Sequence, residues 1–171
     1  MLGKSESNER SIKNMKIRVM NISDYEQVYQ LWLSCKGMGL NNLDDSKEGI
    51  ERFLNRNPET CFVAESEQTI IGVIIAGNDG RRGYIYHTAV NPDYRHQGIA
   101  TKLVNEAMRA LKLLGINKTA LVVFSKNTVN MGISEFLAQK KAKFFSFRLL
   151  IGHIRFSTAR TSEVRYFPAY G

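Results

Sequence analysis

One stretch of the 171-residue chain sets chemistry-bearing residue types at a telling spacing: Val90-Asn91-Pro92-Asp93-Tyr94-Arg95-His96-Gln97-Gly98-Ile99-Ala100. An apolar run ends at Val90, Pro92 and Asp93 turn the chain, and a helical pattern opens at about Gly98. The backbone amides from His96 to Ala100 then lie at a helix N-terminus, where the first N–H groups have no intrahelical partner. The helix dipole adds partial positive charge at the same place, and the two together suit a pyrophosphate. Gly98 has no Cβ to hold phosphate oxygens off the backbone, and Ala100 is small to the same end. Arg95 can add a full charge at the rim. Six residues of Arg-x-x-Gly-x-Ala are a short pattern; the strand before them and the helix after them give it weight.

Other residues have competing readings. His87 lies on the strand leading into this loop, and an imidazole, which ordinarily titrates near 6.5, suits a general base. A packed strand histidine is the commoner role. Tyr84 and Tyr86 could line a substrate site, but aromatic residues are also ordinary strand formers. Asp44, Asp45 and Ser46 offer a helix cap. Glu65, on an earlier strand, would reach the loop only through water. His96 reads as a surface residue beside phosphate, and Trp32 as core. Three widely spread histidines make no metal site. No Gly-x-Ser-x-Gly or Ser-His-Asp order points to hydrolysis.

The elements that must hold these residues follow from periodicity. Lys16 to Met20 reads as a short strand. Ser23 and Asp24 cap a helix with Val28, Leu31, Trp32 and Cys35 on one stripe, ended by Gly37 and Gly39. A second helix carries Ile50, Phe53 and Leu54 and stops at Pro58. Cys61 to Ala64 and Thr69 to Ala76 form an antiparallel hairpin about Glu67-Gln68, and Gly77 to Gly80 is dense in turn residues. Tyr84 to Val90 is a third strand of the same region. Gly98 to Leu114 is the clearest helix, closed by Gly115 as a C-cap. Thr119 to Phe124 is a buried strand, joined to Tyr84–Val90 by a right-handed crossover with the two strands parallel. A mixed sheet with helices on its faces is the natural packing.

Composition is that of a globular chain, with 43% hydrophobic and 23% charged residues. Cys35 and Cys61 are too few for a disulfide framework and read as free thiols of a reducing compartment. No apolar run reaches a membrane span, and the polar start lacks a signal peptide's apolar stretch, so a cytoplasmic location is expected. The net charge of +8 is uneven: from Ala138 onward seven bases face Glu163 alone, so that end carries +6 of it. A basic end can bind nucleic acid. Here the aromatic interleaving of a stacking platform is missing, which ranks that partner last.

Arg95-His96-Gln97-Gly98-Ile99-Ala100 resembles the Arg/Gln-x-x-Gly-x-Gly/Ala signature of the GNAT N-acetyltransferases. The strand end Ala89 to Tyr94, the first strand and two helices, the hairpin and Thr119 to Phe124 resemble that family as well, over roughly Met15 to Asn127. The resemblance implies an α/β acyl-CoA N-acyltransferase fold: a mixed, mostly antiparallel sheet with one splayed parallel strand pair and helices on both faces. It implies acetyl-CoA as co-substrate, lying between the splayed strands. Backbone groups at Ala89 and Val90 would pair with the pantetheine arm, amides from Gln97 to Thr101 would hold the pyrophosphate, and Asn127 would touch the cofactor. The cofactor set is then Ala89, Val90, Arg95, His96, Gln97, Gly98, Ile99, Ala100, Thr101 and Asn127, with no metal. The reaction would be attack of a primary amine on the thioester, with a base to take its proton. His87 is the candidate base; the glutamate that many family members place on this strand is missing between Gly83 and Val90. Asp44 and Asp45 lie where the family often meets the acceptor amine.

Beyond the fifth strand the resemblance weakens. Many members carry a tyrosine there that protonates the leaving thiolate; in the two possible registers this chain has Leu137 or Ser134. The expected organisation is a disordered lead-in over 1–14, the acetyltransferase domain over 15–144 and a divergent basic segment over 145–171. That divergence reads either as a departure from the ancestral reading frame near Val129 to Phe136 or as ordinary drift. Three activities compete: an active N-acetyltransferase, a catalytically impaired acetyl-CoA-binding module, and an RNA- or tRNA-associated acetyltransferase. A small-molecule or protein amine fits as acceptor, and a homodimer is compatible with the chain.

Overall fold

A computed structural model describes residues 14–121. Strand β1 (Lys16–Val19) leads through a 3-10 turn into helix α1 (Tyr25–Ser34), then α2 (Lys47–Arg56). Strands β2 (Phe62–Ser66), β3 (Thr69–Asn78) and β4 (Gly83–Val90) follow, then helix α3 (Ile99–Leu113) and β5 (Thr119–Leu121). The five strands lie in sequence order, antiparallel from β1 to β4, with β5 parallel to β4. This is the mixed, mostly antiparallel sheet with a parallel pair that the sequence points to. The described β4–β5 pairs are Gly83 with Thr119, Tyr84 with Ala120 and Ile85 with Leu121.

Two cores sandwich the sheet. On one face α1 and α2 press Val28, Leu31, Trp32, Ile50 and Leu54 onto Val63, Val73, Ile75 and Ala89. On the other, α3 presses Ile99, Leu103, Val104 and Ala107 onto Phe62, Ala64, Ile71, Ile74, Ile85 and Val90. Burial on both faces explains the near-continuous apolar run of β3, since a strand covered on one side alone would alternate. Gly72 sits on β3 under α3. A Cβ there would lie 3.1 Å from both Ile99 Cγ2 and Leu103 Cδ1, so the helix rests closely on a backbone without a side chain.

Local chemistry sets the boundaries, and it differs from the expected chemistry in two places, while one of the caps offered for α2 is the one used. Asn21, not Ser23, opens the first helical segment: its side chain accepts from the Ser23 amide, while Asp24 accepts from the Asn21 amide. That arrangement lets Asp24 also take two hydrogen bonds from Arg18 on β1, both 2.8 Å. Strand β3 continues two residues past Ala76 to Asn78, whose amide is held by Asn57 Oδ1 at 3.0 Å. At α2 the cap is Ser46, whose Oγ accepts from the Gly49 amide. Asp44 and Asp45 are thereby released from capping. The two-residue turn Glu67-Gln68 has positive φ at both positions, as a tight hairpin of this length requires. No helix among the described residues is long and apolar enough to cross a membrane.

Candidate functional site

The loop after β4 has the form the sequence suggests. Asn91 Oδ1 accepts from the Asp93 amide and starts a 3-10 turn, Pro92–Tyr94. The chain then passes through positive φ at His96 (62°) and Gly98 (77°) before α3 begins at Ile99. Gly98 is the N-cap and supplies no side-chain cap. Its carbonyl accepts the Lys102 amide at 3.0 Å, so the amides of Ile99, Ala100 and Thr101 precede the first intrahelical bond. His96, Gln97 and Gly98 are exposed; the Ile99 side chain is buried in the core under α3, which leaves only its backbone to this surface. Space is open where a Cβ of Gly98 would stand. The described residues therefore fit a pyrophosphate at this end of α3.

Arg95 is placed differently from the rim position the sequence suggests. Its Nε donates to the Val90 carbonyl at 3.2 Å, and its Nη2 lies 3.5 Å from Cys35 Sγ. Asn91 donates its amide to Ile71 on β3. By strand alternation Val90 then turns its carbonyl to the opposite edge, while Ala89 turns its own polar groups toward β3. The edge group offered to an added strand is thus at Val90, and Arg95 covers it. Asn127, Ser134 and Leu137 lie outside the described residues.

A bulge in β4 builds the other side of the site. Ile75 pairs with His87 and Ala76 pairs with Ile85, so Tyr86 is an extra residue without a partner on β3. In a regular strand Tyr86 and His87 would point to opposite faces. Here both line one cleft of about 530 Å³ on the α1–α2 face, together with Asp44, Asp45, Arg52 and Phe53. His87 Nε2 lies 2.8 Å from Asp45 Oδ1, and both side chains are largely buried, at 13% and 9% exposed. A carboxylate only accepts, so Nε2 carries the proton and a neutral ring keeps its lone pair on Nδ1. That nitrogen makes no hydrogen bond among the described residues. The Trp32 ring packs beside His87, with centroids 5.2 Å apart. Asp45 is held in turn by the Asn41 amide at 2.8 Å, and Tyr25 donates to its backbone carbonyl. Burial pushes the Asp45 carboxyl up, but the hydrogen bonds from His87 and Asn41, joined by the charge of His87 when its ring is protonated, outweigh burial and hold it below the ordinary value. Burial also raises the Tyr86 phenol, helped by Tyr84 and Asp79.

The pairing of His87 with Asp45 spans 42 residues, and sequence reasoning weighed the two only separately. No local signal joins them. Glu65 drops out of contention: it is bound to Arg18 and Lys16 at the β1 side of the sheet, away from β4.

A model of the acetyltransferase (GNAT) family matches residues 25–133. The chain belongs to the GNAT acetyltransferase family. An acetyltransferase of Yersinia pestis is 37% identical over 121 residues, which are 71% of this chain and 84% of that one. Among solved GNAT structures, the PaiA N-acetyltransferase of Thermoplasma acidophilum, in complex with coenzyme A, superposes with a TM-score of 0.61. It is 22% identical, over 73% of this chain and 87% of that one. Diaminobutyrate acetyltransferase EctA of Paenibacillus lautus, in complex with L-2,4-diaminobutyric acid and coenzyme A, gives a TM-score of 0.62. It is 23% identical, over 74% of this chain and 75% of that one. At these identities the structures speak for the fold.

Proposed function

We propose that this protein moves an acetyl group from acetyl-CoA to a primary amine by direct attack, with acetyl-CoA as co-substrate. The observation that carries the proposal is the strand β4: its bulge sets the His87–Asp45 pair in a cleft, and its end leads within a few residues to the uncapped start of α3. The amides from Gln97 to Thr101 receive the pyrophosphate. Arg95 leaves the Val90 carbonyl to the pantetheine arm and turns to the phosphates. The amine nitrogen attacks the thioester carbonyl carbon; the C–N bond forms as the C–S bond breaks. His87 Nδ1 takes the proton the amine loses, and Asp45 orients the ring and favours the imidazolium that results. The thiolate leaves as CoA and takes up a proton.

Calorimetric titration with acetyl-CoA tests the donor side, comparing the wild type with an Arg95→Glu, Gly98→Asp double variant. Binding by the wild type and its loss in the folded variant is the expected result. Release of free CoA in the presence of amines tests the transfer. Donor binding with no amine-dependent release would reduce the protein to an acetyl-CoA-binding module, and no donor binding by folded protein would sink the reading altogether.

A further inference from the structure

The cleft beside His87 holds a second charge centre that proton transfer does not require. Arg52 of α2 lines it, is exposed, and makes no ion pair or hydrogen bond among the described residues. The acids nearby are engaged elsewhere. Asp45 is bound by His87 and the Asn41 amide, and Asp44 by Asn41 Nδ2 at 2.8 Å. Phe53 and Tyr86 stand edge to face at 5.5 Å on the same wall. The cleft therefore offers an imidazole with an open nitrogen, an apolar aromatic wall and a guanidinium with no partner.

We propose that the acceptor is a small aminocarboxylate: its carboxylate on Arg52, its carbon skeleton against Phe53 and Tyr86, its amine at His87. A guanidinium fork matches a carboxylate with two parallel hydrogen bonds. A monoanion is favoured over a phosphate dianion because Asp44 and Asp45 share the cleft and Arg52 is the only lysine or arginine among its described lining residues. A cleft of about 530 Å³ suits a small molecule. The amine's placement rests on the acetyltransferase reading; the carboxylate's rests on Arg52 alone.

The test uses the full chain and pairs of amines that differ only in a carboxylate: phenylalanine against phenethylamine, and ornithine against 1,4-diaminobutane. Binding is measured by calorimetry without any acetyl donor, so the result stands whether or not the protein transfers acetyl groups. The expected result is that the carboxylate-bearing member of at least one pair binds about tenfold or more tightly, the gain of a charge-assisted hydrogen bond. Arg52→Ala should erase the preference and Arg52→Glu should reverse it. Arg56→Ala, one helical turn on and outside the cleft, should keep it. Alanine is a strong helix former, so Arg52→Ala should fold. Equal binding within both pairs, a preference that survives Arg52→Ala, or no binding of any member would each overturn the proposal. Failure to bind acetyl-CoA would instead overturn the enzyme reading and leave this comparison intact.

Discussion

His87 and Asp45 divide one task, and substitution can separate their shares. His87→Gln keeps a polar side chain of similar reach but cannot take a proton at neutral pH. It should lower kcat by about 10²–10⁴-fold, the usual worth of a general base, while the affinity for acetyl-CoA measured by calorimetry stays the same. Asp45→Asn keeps an oxygen that can accept from Nε2 and removes the charge; a smaller fall in kcat is expected, with donor affinity again unchanged. Equal donor affinity with a large loss of turnover is the pattern a merely structural histidine would not give. The sequence supplied His87 as a strand residue ahead of a phosphate loop. It could not supply the partner, because the alternation of Tyr84, Tyr86 and Thr88 places His87 on the α3 face with Ile85. One unpaired residue at Tyr86 changes that phase, and a bulge leaves no mark in hydrophobic pattern when the residues around it are all aromatic or β-branched.

Helices and strands were legible because their apolar stripes are long. The stripe of α3 from Ile99 to Leu111 and the two-faced burial of β3 are dictated by period and composition. Ends were less legible, since several polar residues compete for each cap and tertiary partners choose among them. In the 3-10 turn ahead of α1 the choice of Asn21 as cap leaves Asp24, at the N-cap position of α1, to bind Arg18, and so ties β1 to the helix. Burial raises the Asp24 carboxyl, but the Arg18 hydrogen bonds, the Asn21 amide and the Arg18 charge outweigh it, so the group is held below its ordinary 3.8. A carboxyl depressed in the folded state contributes stability above its unfolded value and loses it as pH falls through the folded one. Asp24→Asn should therefore cost about 2 kcal/mol near neutral pH. The difference from wild type, read as urea midpoints across pH, should close below about pH 4. At α2, Ser46→Ala removes the cap and should cost about 1 kcal/mol. It should also loosen the loop that carries Asp45, seen as a higher KM for the amine than for acetyl-CoA.

At the scale of the molecule, the donor loop and the base stand on opposite cores that share one sheet. Helix α3 carries the proposed phosphate site and packs on the face of Ile74 and Ile85; α1 and α2 pack on the face of Val73 and Ile75, where α2 and the segment before it line the cleft. Strand β3 separates the two, and at Gly72 the side chains of α3 rest directly on its backbone. A valine there meets the Ile99 and Leu103 side chains at the first turns of the helix, so these side chains, and the helix start that carries them, must give way. Overpacking of this kind costs about 1–3 kcal/mol. The loss alone would say little, since any core change destabilises. A matched change on the other face makes it informative: Val28→Ala in α1, fully buried and against the opposite core, leaves a cavity of comparable cost. At equal loss of stability, Gly72→Val should weaken acetyl-CoA binding while Val28→Ala leaves it near wild type, and the reverse should hold for the amine. If both variants lowered donor affinity alike, the two faces would be acting as one cooperative body and the phosphate site would not depend on the seat of α3.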